Sequence, residues 1–188
     1  MSLSFAGREI ELTAEDPKVM AKALTNWSRD SEYFRLLDSE PPRLLSAKKI
    51  EGWFEEDLKK DDPAGFFFAI KLKETAQVIG FMGLFEFSWN NGDALVAIGI
   101  GERAHWGKGY GTQAMRILLH YAFDELNLRR VTLIVFDYNG RAKRSYEKAG
   151  FVVEGRMRGM MLREGKRWDM LFMGVLKDEW QRLEEIPG

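Results

Sequence analysis

The 188-residue chain has no cysteine, two histidines, five prolines and no excess of either charge, with 28 basic against 29 acidic side chains. Each scarcity excludes something. Without thiols there is no disulfide framework, no thiolate metal site and no acyl intermediate held on cysteine. His105 and His120 stand well apart and outside any H-E-x-x-H arrangement, so a zinc centre would have to rely on carboxylates and no metal is expected. A net charge of −1 removes the uniformly basic surface of a nonspecific nucleic-acid binder, yet leaves room for a local basic patch that holds a phosphate. The longest uncharged, apolar-leaning stretches, residues 78–85 and 94–101, fall far short of the roughly 18 to 20 residues that span a bilayer. Residues 1–10 carry Arg8 and Glu9 and no apolar signal-peptide core, which makes the cytoplasm the expected compartment and no membrane an expected partner.

Aromatic and aliphatic residues are plentiful: 45% of the chain is hydrophobic, including 13 Phe, 6 Trp and 5 Tyr. That is enough for a sizeable core in one domain over residues 1–188. No repeat or linker divides it, and the softest places, 39–43 with Pro41 and Pro42 and 59–65 with Pro63, read as loops. Alternation predicts strands over 7–13, 66–72, 78–87 and 94–100, with a hairpin signal at Asn91-Gly92. Helical spacing predicts segments from Pro17 to Trp27, around Ile50, Trp53, Phe54 and Leu58 after Ser46, and over 109–126. Residues 130–136 read as a central strand, 141–149 as a short helix closed by Gly150, and 151–162 and 166–176 as strands turning at Glu164-Gly165. A helical tail with Trp180 follows. The order β, α, α, β, β, β, α, β, α, β, β implies an α/β (α+β) fold, a mixed sheet with helices packed on it.

The segment GIGERAHWGKGYGT, residues 99–112, lies between a strand and a long helix. Glycines at 107, 109 and 111 let the backbone approach a ligand, and the helix start aims free N–H groups at one point, as a phosphate or pyrophosphate requires. Arg103, His105 and Lys108 add local positive charge. The stretch 99–104 formally matches the dinucleotide pattern G-x-G-x-x-G/A but does not open the helix, and the spacing around Lys108 fails the Walker pattern.

Trp106-Gly107-Lys108-Gly109-Tyr110-Gly111 resembles the acetyl-coenzyme A loop Q/R-x-x-G-x-G/A of the GCN5-related N-acetyltransferases (GNAT), with Trp106 in place of the first polar residue. Residues 139–151 resemble the second signature of that superfamily, N-x-x-A-x-x-x-Y-x-x-x-G-F. The spacing and the late stretch MMLREGKRWDMLFMGVL are most similar to the branch of ribosomal-protein alanine and spermidine acetyltransferases. The resemblance implies the GNAT fold, a mixed sheet of about seven strands with helices on both faces. It also implies an acetyl-CoA-dependent N-acetyltransferase that acts directly on a primary amine, either a protein N-terminus or a small amine or polyamine, and a homodimer. Pantetheine would pair with the strand at Ile98, Gly99 and Ile100, the pyrophosphate would sit on Trp106, Gly107, Lys108, Gly109, Tyr110, Gly111 and Thr112, and Asn139 and Ala142 would contact the cofactor.

The same resemblance points Tyr146 at the sulfur as general acid, a phenol of pKa about 10 serving a thiolate whose conjugate acid lies near 8.5. In the fold so implied the neighbouring strand end faces the thioester, which makes Glu86, between Phe85 and Phe87, the best-placed carboxylate to act as base or to orient water, with Asp169 and Glu102 behind it. Trp27, Asp30, Glu32, Tyr33, Phe34, Asp38 and Glu40 offer a surface for a cationic acceptor, while Trp89, Tyr138, Met160 and Trp168 are candidates to line the cleft. The alternative is an acyl-CoA-binding module that has kept the loop and lost turnover.

Overall fold

The computed structural model describes residues 4–58 and 65–184, so most of the second soft loop lies outside the described residues. Seven strands, β1 (Ile10–Thr13), β2 (Gly65–Leu72), β3 (Val78–Ser88), β4 (Asp93–Ile100), β5 (Arg130–Phe136), β6 (Val152–Arg163) and β7 (Lys166–Leu176), form one mixed sheet. Their order is β1-β2-β3-β4-β5-β7-β6. Six helices accompany them among the described residues: α1 (Pro17–Trp27), α2 (Ser31–Leu37), α3 (Ala47–Leu58), α4 (Tyr110–His120), α5 (Gly140–Lys148) and α6 (Lys177–Glu184). No helix in this set is long and apolar enough to cross a membrane.

Local chemistry accounts for most boundaries. Asp16 caps α1 by accepting from the Lys18 N–H at 2.7 Å, with Pro17 in the first turn where its missing N–H costs nothing. Glu164 and Gly165 both take left-handed backbone angles, φ +52° and +73°, which matches the right-handed twist of the β6–β7 hairpin. Helix α4 is shorter than the periodicity of residues 109–126 predicts, because from Tyr121 to Glu125 the backbone widens into a π-turn in which the Leu126 N–H donates to the Tyr121 carbonyl at 3.1 Å. Helix α2 is an element that apolar spacing did not separate. Its signal is Asp30, whose carboxylate accepts from the Glu32 and Tyr33 N–H groups.

The first four strands and the last three meet at one weak seam. Strands β4 and β5 run parallel and pair only at Asp93–Arg130, Ala94–Val131 and Leu95–Thr132. Beyond Leu95 they separate. Residues from both sides nevertheless share a core, with Ile70, Met82, Leu118, Phe123, Phe151 and Met173 at 2% exposure or less. Ile134 is 41% exposed although β5 is a central strand, because it borders the opening.

The two sides of β4 face different helices, as strand alternation requires. Ile98 and Ile100, like Ala142 and Tyr146, pack against the main core that holds the buried face of α4. A Cβ at Gly101 would overlap the Trp27 indole, and one at Gly99 would lie 2.9 Å from the Tyr33 hydroxyl, so α1 and α2 cover the opposite face. These two glycines therefore serve helix–sheet packing, and their match to a dinucleotide pattern is incidental.

Candidate active site

The separation of β4 from β5 opens a cleft of about 560 Å³. Its walls are the second half of β4, Ile134, Val135 and Phe136 of β5, the loop leading into α4, the inner side of α5 and the underside of α2. Twelve residues expected from the sequence come together there: Ile98, Gly99, Ile100, Trp106, Gly107, Gly109, Tyr110, Gly111, Thr112, Asn139, Ala142 and Tyr146. Lys108, although in the loop, is not among the lining residues. Arg141, Arg144 and Ser145 line the cleft as well and were not singled out in the sequence, although they lie within the 139–151 motif.

The loop is shaped as an anion cradle. Gly107 and Gly109 hold φ at +75° and +86°, and the space where each Cβ would stand is empty to 4 Å. Gly109 precedes α4 without any side-chain cap, so the first N–H groups of that helix keep their hydrogen-bonding capacity and the positive end of the helix dipole faces the cleft. Gly111 lets α5 come close, a Cβ there lying 3.4 Å from the Ser145 hydroxyl, and Thr112 and Ser145 share a hydrogen bond of 2.8 Å.

Trp106, the departure from the acetyl-CoA loop pattern, is held by its indole N–H donating to the Ile100 carbonyl at 2.7 Å. Two guanidinium groups lie near its ring, Arg141 at 3.9 Å and Arg103 at 5.6 Å from the centroid. Arg103 is occupied elsewhere: it makes a forked pair with Asp30 at 2.6 and 2.8 Å and reaches Glu32 at 2.6 Å. Arg141 has no carboxylate partner among the described residues. Partial desolvation, and after it the neighbouring Arg103 and Arg144, pull its pKa down, the condition of a cation that an anion would relieve. The uncapped helix, the two open glycines and this guanidinium fit the phosphates of a coenzyme A thioester.

Tyr146 owes its position to the way α5 ends. Gly150, at φ +104°, donates from its N–H to the Glu147 carbonyl, and the Phe151 N–H donates to the Tyr146 carbonyl at 3.0 Å. This is a Schellman closure, with the Phe151 and Tyr146 rings 6.1 Å apart as its apolar contact. The spacing Y-x-x-x-G-F thus has a mechanical reason: tyrosine, glycine and phenylalanine are three parts of one helix stop. The half-buried phenol makes no side-chain hydrogen bond among the described residues, and desolvation pushes its pKa up to about 12.

Asn139 is 8% exposed and already engaged: Oδ1 caps α5 by accepting from the Ala142 N–H at 3.2 Å, and Nδ2 donates to the Leu36 carbonyl at 3.3 Å. Replacing Asn139 with Ala is expected to lower stability by about 1–2 kcal/mol, seen as a lower melting temperature, with Asn139→Asp recovering the cap and part of the loss.

Helix α2 crosses the mouth of the cleft. Its start is tied to the loop by Asp30 and Arg103. Its end is tied to the other half of the sheet, where Tyr138 donates to the Arg35 carbonyl at 2.5 Å and Arg163 Nη2 reaches the carbonyls of Asp38, Ser39 and Glu40 at 2.7–3.2 Å. The acidic surface expected here is largely neutralised. Arg103 beside it holds the Asp30 carboxyl at about 2, and Glu32 shares the same guanidinium. Asp38 is the only carboxylate among the described cleft-lining residues.

Glu86 stands outside the cleft. Two β3 residues, Glu86 and Phe87, face the single residue Ala94 of β4 in a bulge, and Glu86, at φ +50°, turns its side chain out to solvent. Asp169 is taken by Arg156 and the Gly159 N–H, Glu102 contacts Gln77 and His105, and neither lines the cleft. Trp89, Tyr138, Met160 and Trp168 are also absent from its walls, Trp168 packing edge-on against Tyr138.

Comparison with known proteins agrees with this geometry. The acetyltransferase (GNAT) domain model matches residues 10–152. The uncharacterized N-acetyltransferase p20 of Bacillus licheniformis is 31% identical over 173 residues, covering 92% of this chain and 93% of that protein. The putative ribosomal N-acetyltransferase YdaF of Bacillus subtilis is 37% identical over 75 residues, 40% of this chain and 41% of its own. Among solved structures, spermidine N-acetyltransferase from Vibrio cholerae in complex with CoA and spermine shares the fold, with a TM-score of 0.76 at 24% identity over 92% of this chain and 98% of that one. With the loop, the helix stop and the split sheet all in the order that the GNAT domain model spans, this chain belongs to the GNAT family of acetyltransferases.

Proposed function

We propose that this enzyme transfers the acetyl group of acetyl-CoA directly to a primary amine. The observation that carries this reading is the cleft itself: an uncapped helix start with open glycines at one end, and along the same wall a phenol with no hydrogen-bond partner among the described residues. The phosphates would rest on the Gly107–Gly109 turn, the α4 N-terminus and Arg141. The amine nitrogen adds to the thioester carbonyl, whose π electrons move onto oxygen. The nitrogen, cationic after addition, gives its proton to Asp38 or water, collapse restores the carbonyl and breaks the C–S bond, and Tyr146 donates a hydrogen bond and its proton to the departing thiolate, regaining a proton from solvent afterwards. The acceptor enters beside α2, where Asp38 is the carboxylate at hand. Glu86 as base would have to act from the solvent side of the bulge, which favours Asp38 or water over it.

The acceptor's own basicity sets the demand on a base. At pH 7 a lysine-like or polyamine ammonium of pKa about 10.4 costs roughly 4.6 kcal/mol to deprotonate, and an α-amino group near 7.7 only about 1 kcal/mol. With one carboxylate in the described cleft wall and Asp30 and Glu32 committed to Arg103, an α-amino terminus is the better supported acceptor. The names of YdaF and the Vibrio cholerae enzyme keep both a ribosomal N-terminus and a polyamine in the panel. Acceptor-dependent release of free CoA from acetyl-CoA, measured with N-terminal peptides and spermidine, tests the proposal. Tight CoA binding without acceptor-dependent release would instead identify an acyl-CoA-binding module.

A further inference from the structure

Tyr33 is an unusual residue to find on the acceptor side of the cleft. It is 4% exposed, its ring packs edge-on against Trp27 at 6.1 Å, and its buried hydroxyl has no hydrogen-bond partner among the described residues. A buried hydroxyl with nothing to bond is disfavoured relative to the same ring without it. The surroundings nevertheless make room for this oxygen. The strand residue beside it is Gly99, and a Cβ there would come within 2.9 Å of the hydroxyl and 3.3 Å of Leu37. By contrast Tyr138, just after β5, has its hydroxyl bonded to the Arg35 carbonyl.

The placement says which substrate this group meets. Gly99 turns toward α2, so by strand alternation Ile98 and Ile100 turn to the other face, where they, like Ala142 and Tyr146, pack against the main core. Tyr33 and Tyr146 therefore flank β4 from opposite faces while lining the same cleft. Helix α2 is anchored at both ends, so the hydroxyl is held in place without being used: Asp30 caps its first turn and pairs with Arg103, and Asn139 and Tyr138 donate to its last carbonyls. Burial also raises the phenol's pKa, so the group stays neutral and can both accept from an N–H and donate to a carbonyl oxygen.

We propose that the Tyr33 hydroxyl is the hydrogen-bond partner of the acceptor amine, holding the nitrogen on the α2 side of the cleft opposite Tyr146. This rests on the acetyltransfer reading above. The test is Tyr33→Phe, which keeps the ring and removes only the oxygen, assayed with acetyl-CoA and either an N-terminal alanine peptide or spermidine. A melting temperature equal to or above that of the wild type, unchanged CoA affinity by calorimetry and a fall of tenfold or more in kcat/KM for the acceptor, most of it in KM, are expected. An unchanged kcat/KM overturns the assignment, as does a loss of CoA affinity that matches the loss of activity, because the hydroxyl would then serve the thioester substrate. A drop in melting temperature would make it a structural group. Absence of acceptor-dependent CoA release from the wild type would sink the acetyltransfer reading and this one together, whereas release by the wild type with an indifferent Tyr33→Phe sinks this one alone.

Discussion

Tyr146→Phe should lower kcat about a hundredfold or more while changing CoA affinity by less than about threefold, within the range that a positioned general acid contributes. The ring contact with Phe151 and the Schellman closure of α5 do not involve the hydroxyl, so the variant should fold and melt normally. Desolvation sharpens what the phenol can do. With its pKa at about 12, complete transfer to a thiolate of conjugate-acid pKa 8.5 would be uphill by roughly 5 kcal/mol if the thiol kept its aqueous value. Inside the same cleft the thiolate is desolvated too, which raises its proton affinity and narrows that gap. On the proposed reading Tyr146 would act first as a hydrogen-bond donor to sulfur as charge develops, and the proton would follow as the bond breaks. Because the folded pKa is raised above 10, the phenol stays protonated through the physiological range, and the pH–rate profile should rise with deprotonation of the acceptor amine and show no phenol-dependent decline below about pH 10. Equal turnover by the two enzymes would remove Tyr146 from the acid role.

Gly109→Val should reduce CoA affinity at least a hundredfold, the other large effect expected. The cause is conformational before it is steric. At φ +86° an L-residue is strained by about 1–2 kcal/mol, and a β-branched one by more, so the turn relaxes and carries the first α4 N–H groups with it. Any valine that kept the native turn would project into the open space at the cradle, where the phosphates are to sit. Calorimetry with CoA, beside circular dichroism to show that the remainder of the fold survives, separates loss of the site from loss of the protein. Undiminished binding would discredit the phosphate assignment.

The strands and the longer helices were legible because their periodicities run over enough residues to be counted, and the glycine loop because φ and close approach leave few alternatives to glycine. Tyr146, Gly150 and Phe151 were legible as a pattern, and the structure supplies its mechanical cause in the helix stop. Other features depend on partners that are distant in sequence. Arg103 looked available to a phosphate until Asp30 and Glu32, some seventy residues earlier, were found on it. Half of the acidity expected there, Asp30 and Glu32, is spent in the same contact, which leaves Asp38 as the carboxylate on the cleft wall. Trp106 gained its meaning from Arg141, thirty-five residues later. Glu86 sat in a run that alternates correctly until one extra residue in β3 turned it outward, and a single-residue bulge leaves little trace in composition. Helix α2, at seven residues, is too short for a periodic stripe, and only its aspartate cap announces it.

The seam between β4 and β5 also has a mechanical meaning. The sheet is joined at its middle by three residue pairs, so β1 to β4 and β5 to β7 form two leaves held together chiefly by the core beneath them. Helix α2 then works as a tie-rod between the free edges, fastened to the first leaf through Asp30 and Arg103 and to the second through Asn139, Tyr138 and Arg163. Lengthening or shortening α2 by one residue is therefore expected to change the width of the gap without touching a strand.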